Sequence, residues 1–498
     1  MALTLSQQLA RRKPIVFQQQ NHDGMELART LTTFQLTMFG VGATVGTGIF
    51  FVLGEAVPKA GPAVLVSFVI AGIAAGLSAL CYAELASAIP VSGSTYSYAY
   101  HAMGELVAVV IAGCVILEYG VATSAVAVGW SGYFNELLHA LTGLRLPEAL
   151  SVSPIPGTDG AATGGLINLP AVVLVLLCML LLLRGASESA KANSVMVIIK
   201  LGVLVLFVAI GVTAFKADHF AGFWGMGFAG VSAAAGTIFF SFIGLDAVAT
   251  AGEEVNDPQR ALPRAIIGAL AIVSAIYVLV AFAGLAAKPV DFFSSPEAAE
   301  AGLAQILKDI TGNEVWSTVL AAGAVISIFS VTLVTLYGQT RILFSIGRDG
   351  LIPRRFTEVH PRTMNPAYNT VVVSVLIALV AGFVPSDYLW DTVSIGTLMA
   401  FSVVAIGIIV LRRTHPDLPR PYRIPGYPVT PILTVAVCLY IMWGLSRITW
   451  VIFLSWIALC VGYYLVYGRR HAVLNTYTDP EEIAEPGGRR RRRDEEEQ

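Results

Sequence analysis

GVGATVGTGIFF, residues Gly40 to Phe51, sets four glycines inside an otherwise apolar stretch. A glycine in a helix interior costs about 1 kcal/mol relative to alanine, so an ordinary membrane span would not collect them. Three readings compete. A phosphate-cradling loop fails on context, since no strand precedes the run and no Gly-Lys-Ser/Thr follows it. A packing face is a serious rival, because Gly42-x-x-x-Gly46 is a small-xxx-small pattern. The density of Gly42, Gly46 and Gly48, with Thr44 and Thr47 between them, favours a break. Unwound backbone at bilayer depth survives only where it is buried in protein or lines a cavity, and there its free N–H and C=O groups become ligands.

The rest of the chain supplies the bilayer. Of 498 residues, 56% are hydrophobic and only 13% charged, and the mean hydropathy is +0.72. Soluble chains carry roughly 25% charged residues. Apolar segments such as LPAVVLVLLCMLLLL (169–183) recur throughout, giving about twelve candidate spans. They fall near 34–57, 62–89, 103–134, 168–184, 193–215, 231–252, 265–287, 315–343, 369–385, 388–411, 429–446 and 448–468. The expected class is therefore an all-α polytopic membrane protein.

Its organisation is a segment 1–33, a transmembrane domain 34–468 and a solvated tail 469–498. No signal-peptide stretch precedes residue 31, so the first span is expected to direct insertion. A net charge of −2, dispersed over short loops, gives no nucleic-acid face. Cys81, Cys114, Cys178, Cys438 and Cys460 all lie in apolar segments, with no disulfide or metal-ligand spacing. No cofactor and no nucleophile–base arrangement is legible, which argues against an enzyme.

Lys and Arg set the orientation. Arg11, Arg12, Lys13, Arg29, Arg184, Lys191, Arg260, Arg264, Arg341, Arg348, Arg354, Arg355, Arg362, Arg412, Arg413, Arg420 and Arg423 fall on one side. The other side holds Lys59, Arg145, Lys216, Lys288, Lys308 and Arg447. Both termini are expected to be cytoplasmic. The arginines of the tail, Arg489 to Arg493, suit a solvated end or an anionic-lipid contact.

A second interruption answers the first. GTIFFSFIGLDAVATAGEE, residues 236–254, carries Gly236, Gly244 and the acid Asp246 inside the sixth span. Interrupted spans at matching positions of two five-span units (34–215 and 231–411, with two further helices at 429–468) are the sequence pointer to an inverted-repeat secondary transporter with a midplane site. A half-helix N-terminus receives an anion, and carbonyls freed at a half-helix C-terminus receive a cation. A free α-amino acid carries both charges on neighbouring atoms.

Beyond these breaks the chain resembles the amino acid–polyamine–organocation superfamily, in its cationic amino acid transporter branch and its bacterial members. The matching stretches are GVGATVGTGIF, CYAELASAIPVSGSTYSYAY, LEYGVATSAVAVGWSGYF, FFSFIGLDAVATAGEEVNDPQRALPRAI and YGQTRILFSIGRDGLIPRRFTEVHP, spread along the spans. The resemblance implies a five-plus-five inverted-repeat core with two extra helices, no enzymatic chemistry, and a place in a bacterial plasma membrane. It implies that substrate carboxylate meets N–H groups around Val45, Gly46, Thr47 and Gly48. The amino group then meets carbonyls near Thr44, Phe240 and Ile243, under an aromatic lid at Phe240.

Lys200 lies nine residues beyond Lys191, so ~13 Å deeper along a helix, past comfortable snorkelling reach. A lysine at midspan costs about 2.5–3.5 kcal/mol on insertion scales, which makes idle placement expensive. The resemblance places it where sodium sits in sodium-coupled relatives, as a proton-coupling group or a permanent cationic brace of the broken first span. Glu118, near the middle of the third span, is a counter-charge for a cationic side chain or a structural carboxylate. Thr332 is expected to face the pocket, and Asp246 to bind a proton or steady the break. Glu84, and Glu253 and Glu254 with Arg260 and Arg264, are expected to form an inner ionic gate; His101 reads as a surface histidine. The implied partners are an amino acid, a proton and the lipid bilayer. Cationic amino acids lead, small neutral amino acids such as alanine follow, and a non-transporting sensor is the third reading.

Overall fold

The computed structural model describes residues 5–14, 29–46, 48–155, 164–294, 296–443 and 447–476. Among them the chain is helical throughout, with a single isolated bridge between Leu31 and Val255. A first interrupted span comprises α1 (Thr33–Thr44) and α2 (Gly48–Ala60). It is followed by α3 (Val64–Ala88), the short α4 (Ser94–Ala102), α5 (Glu105–Thr142), α6 (Leu169–Leu183) and α7 (Ala186–Thr213). The pattern then starts again with α8 (Gly227–Phe239), α9 (Ala247–Thr250), α10 (Pro258–Ala287), the surface helix α11 (Pro296–Thr311), α12 (Glu314–Arg348), α13 (Ala367–Phe383) and α14 (Ser386–Thr414). Two further helices, α15 (Val429–Trp443) and α16 (Arg447–Tyr463), complete it. Among the described residues, seven helical stretches are long and apolar enough to cross a bilayer, and four shorter apolar helices accompany them.

The two units match element for element. Counterparts pack on one another, α3 on α10, α5 on α12 and α6 on α13. The two ends of the described chain meet on one face, where Arg11 Nη1 donates to Asn475 Oδ1 at 2.8 Å. We call it the terminal face.

Local chemistry fixes the ends of these helices. Thr32 and Gln35 form a reciprocal capping box at the start of α1, satisfying donors that a first turn leaves orphaned. Gly143, in the left-handed region at φ +73°, closes α5. The hydropathy segments did not reveal α4 and α11. STYSYAYHA in α4 is polar by composition, yet every residue of it is buried.

The glycines of the opening stretch divide into two jobs. Gly40 and Gly42 lie within α1, which stays regular to Thr44. A Cβ on Gly42 would lie 2.8 Å from Asn193 Oδ1, so this glycine admits the neighbouring α7. The break proper begins at Val45 and Gly46, after α1 ends at Thr44 and before α2 starts at Gly48. Gly236 likewise sits inside α8 and interrupts nothing. The second break begins at Phe240 with a 3-10 turn and runs through Gly244 to Asp246.

Candidate functional site

The two breaks lie against each other. A Cβ on Gly48 would fall 2.7 Å from Ser241 Oγ and 3.2 Å from Ser241 Cα. Gly244 takes φ +107°, and a Cβ there would lie 2.9 Å from Ala43 O. Side chains at these two positions would push the broken segments apart, so the crossing needs glycine on both sides.

Three side chains hold the opened backbone. Lys200 of α7 is fully buried, and its Nζ donates to Gly42 O at 2.9 Å and to Val45 O at 2.6 Å. Ser327 of α12 donates to the same Val45 oxygen at 3.0 Å. The Tyr277 hydroxyl of α10 lies 2.9 Å from Thr44 O and 3.0 Å from Ser241 O, sharing its proton between the two breaks. Deeper along α1, Asn193 donates to Met38 O at 3.1 Å and accepts from Ser330. A carbonyl without a partner in this setting costs about 1–3 kcal/mol, which is what these donors offset.

Beside the breaks is a cavity bordered by both of them. Thr44, Gly46 and Gly48 border it from the first break, and Ser241, Ile243, Gly244 and Asp246 from the second. Glu118, Tyr119, Ala122 and Val126 of α5 form one wall; Val331 and Thr335 of α12 with Val393 of α14 form another. Two carboxylates therefore face one largely apolar space. The Tyr119 hydroxyl donates to Asp246 Oδ2, while Asp246 Oδ1 and Glu118 Oε2 are buried without a hydrogen-bond partner. An unpartnered buried carboxylate oxygen is costly and calls for a cation or a proton.

Between cavity and terminal face lie ion pairs on α12. Arg341, about 9 Å beyond Thr335 along the helix, bonds Glu254 through Nε at 2.6 Å. Both are essentially inaccessible, at 1% and 0% side-chain exposure. Tyr337 donates to the same carboxylate at 2.8 Å, and the Arg341 guanidinium lies over its ring. The Glu254 carbonyl takes the N–H groups of Thr30 and Leu31 at 3.0 and 2.9 Å, so the entry to α1 is fastened to the exit from α9. Farther out, Arg348 grips Glu253 with two bonds of 2.6 and 2.7 Å. Burial pushes the Glu253 carboxyl up, but the charge and hydrogen bonds of Arg348 outweigh it and hold it below the usual carboxylate range.

Against the expectations from sequence, Val45, Gly46, Gly48, Lys200, Asp246, Glu118 and Ile243 come together around one site. Thr47 and the side chain of Phe240 lie outside the described residues. The Gly46 N–H donates to Thr44 O at 2.9 Å, inside the break itself. Thr332 turns away: its hydroxyl donates back to Ile328 O at 3.0 Å, and its neighbours Val331 and Thr335 border the cavity instead, because each helical residue rotates the face by 100°. The gate partners also differ. Glu253 and Glu254 pair with Arg348 and Arg341 across to α12, whereas among the described residues Arg260 approaches only Asp257, at 4.0 Å and exposed. Arg264 is exposed, with no ion pair among the described residues. Glu84, 1% exposed, binds Arg412 at 2.6 and 2.9 Å and the Ile424 N–H at 2.7 Å, tying α3 to the end of α14. His101 is buried, not on the surface.

Sequence reasoning missed Tyr119, Tyr277, Ser241, Ser327, Val331 and Thr335. Tyr119 stood beside Glu118 and could have been found there; a tyrosine in an apolar helix such as α10 carries no such signal.

This architecture defines a multi-pass helical membrane protein organised around two facing interruptions. The Amino acid permease family pattern matches residues 31–467, and the chain belongs to that family, within the amino acid–polyamine–organocation superfamily of transporters. Its relatives include the methylthioribose transporter of Bacillus subtilis, 40% identical over 94% of this chain and 99% of that one. The branched-chain amino acid permease BcaP of the same organism is 42% identical over 90% and 95%. A vacuolar cationic amino acid transporter 2 of Arabidopsis thaliana is 37% identical over 82% of this chain and 64% of its own length.

Proposed function

We propose that this transporter carries cationic amino acids by alternating access, coupled to protons, across a bacterial plasma membrane with the terminal face cytoplasmic. The observation that supports the substrate is the pair of carboxylates, Glu118 and Asp246, which line one cavity and each keep a buried oxygen without a hydrogen-bond partner. A zwitterion held by the opened backbone, with its own cationic side chain against Glu118, gives those oxygens a partner. The carboxylate of the substrate is taken by N–H groups at the start of α2 around Gly48, the Gly46 N–H being held by Thr44 O, and its ammonium by carbonyls of both breaks. Lys200 and Asp246 are the proposed proton-handling groups. The Glu254–Arg341 and Glu253–Arg348 pairs form the cytoplasmic gate.

A second reading has support of its own: Ala122, Val126, Val331 and Val393 make the remaining walls apolar, which suits a branched or small neutral side chain with a proton on Glu118. Uptake of labelled arginine and of labelled valine into proteoliposomes, with and without an inward pH gradient, separates the two. On the cationic reading, Glu118→Gln lowers arginine uptake at least about tenfold, as loss of a charge-assisted contact should, and leaves valine little changed. If arginine neither enters nor competes, the cationic assignment falls.

The wall assignment has its own test. Val331→Met and Thr335→Met should each reduce uptake by about an order of magnitude by filling the cavity. Thr332→Met should instead act through stability, measured as a lower melting temperature, because its side chain points into packed helix.

A further inference from the structure

Residues 11–13 of the N-terminal arm lie in a built seat. Glu105 N donates to Arg11 O at 3.0 Å, and Lys13 N to Tyr100 O at 3.2 Å. Where the arm crosses, Gly104 sits at φ +107°, and a Cβ there would meet Ala10 O at 2.8 Å. Arg11 pairs with the fully buried Glu105, which also accepts from Tyr100 at 3.0 Å and Tyr464 at 2.7 Å. His101 Nδ1 lies 2.8 Å from Lys13 O and donates to it. Held in this way, Lys13 places its ammonium 2.5 Å from Asp349 Oδ1, and Tyr96 donates to the other oxygen at 2.8 Å.

Asp349 directly follows Arg348, the cation that closes on Glu253. Two carboxylates, Glu253 and Asp349, thus stand beside two cations, Arg348 and Lys13. We propose that Lys13 is a positioning residue for the gate: by neutralising Asp349 it leaves the Arg348 guanidinium to Glu253, so that the docked arm holds the terminal side closed. Asp349 is 5% exposed, and a nearly buried carboxylate without a cation is costly. With Lys13 gone, Arg348, which already interacts electrostatically with Asp349, is divided between two carboxylates and binds Glu253 less firmly. The inference rests on the gating role of Arg348 and Glu253, and on neither the substrate nor the proton.

The test is the alkylation rate of a cysteine reporter at Ser345, a buried position on α12 one turn before Arg348, in the full-length protein treated with N-ethylmaleimide. Lys13→Gln should raise the rate about fivefold or more, the scale of a typical coupling between sites. Lys13→Gln with Asp349→Asn should return it to the parent rate, and Asp349→Asn alone should leave it unchanged. Arg12→Gln, a charge loss at an exposed neighbour, should do nothing. No rise with Lys13→Gln, or a rise that persists in the double variant, overturns the proposal. If Arg348→Gln also leaves the reporter protected, the gate reading falls with it; if Arg348→Gln exposes the reporter and Lys13→Gln does not, only the role of the arm is lost.

Discussion

Lys200→Met should abolish pH-gradient-driven accumulation while substrate binding survives. The amine of Lys200 supplies bonds to two carbonyls of the first break, at Gly42 and Val45. Methionine fills the volume but supplies neither bond. Val45 O keeps its contact from Ser327, so the main loss is at Gly42. One stranded carbonyl costs about 1–3 kcal/mol, and a bias of that size shifts a two-state equilibrium by roughly 5- to 150-fold. The closed form that Lys200 braces should therefore lose its population, and gradient-driven uptake should fall by more than tenfold. Binding, measured by protection from thermal denaturation on adding substrate, should persist because Lys200 does not border the cavity. A Lys200→Met protein that retains the parent dependence of uptake on pH would remove the coupling role.

The second large effect is expected at Arg341. Arg341→Met leaves Glu254 buried opposite an apolar side chain, with the Tyr337 hydroxyl as its remaining side-chain partner among the described residues. Removing one member of a buried ion pair costs about 3–5 kcal/mol, whereas replacing both is often close to neutral. Arg341→Met should accordingly lower the melting temperature sharply and cut uptake below a tenth of the parent value, and Glu254→Gln in the same chain should restore much of the stability. Uptake should recover less than stability. The Glu254 backbone holds Thr30 and Leu31 at the entry to α1, but the ionic part of the closure is gone. Equal stability in the single and double variants would show that the pair carries no net burial penalty.

Legibility in the sequence followed the length scale of each signal. The spans were readable because about 20 apolar residues have few alternatives to a bilayer, and α1 to α16 include a helix at each segment that hydropathy marked. The second break was readable from Gly244 and Asp246, since an acid and a glycine have no cheap place in a regular span. Four glycines in the opening stretch overstated the first break: Gly40 and Gly42 remain helical, and only the neighbour across α1 reveals that they exist to admit α7 and α10. Thr332 was missed by one position, an error that rotates a side chain by 100° and moves it from cavity wall to packed interface.

The amino-acid sequence alone determined the class of protein, the two interruptions and the presence of Lys200, Glu118 and Asp246 within apolar segments. These are properties of local composition, set by what a hydrocarbon environment tolerates. Tertiary structure alone decided the partners: Glu253 and Glu254 turned from nearby Arg260 and Arg264 to Arg348 and Arg341, and Tyr277 joined two breaks from a third helix. A buried charge or carbonyl is satisfied by whichever donor the packing brings within about 3 Å, and separation along the chain does not enter into that distance.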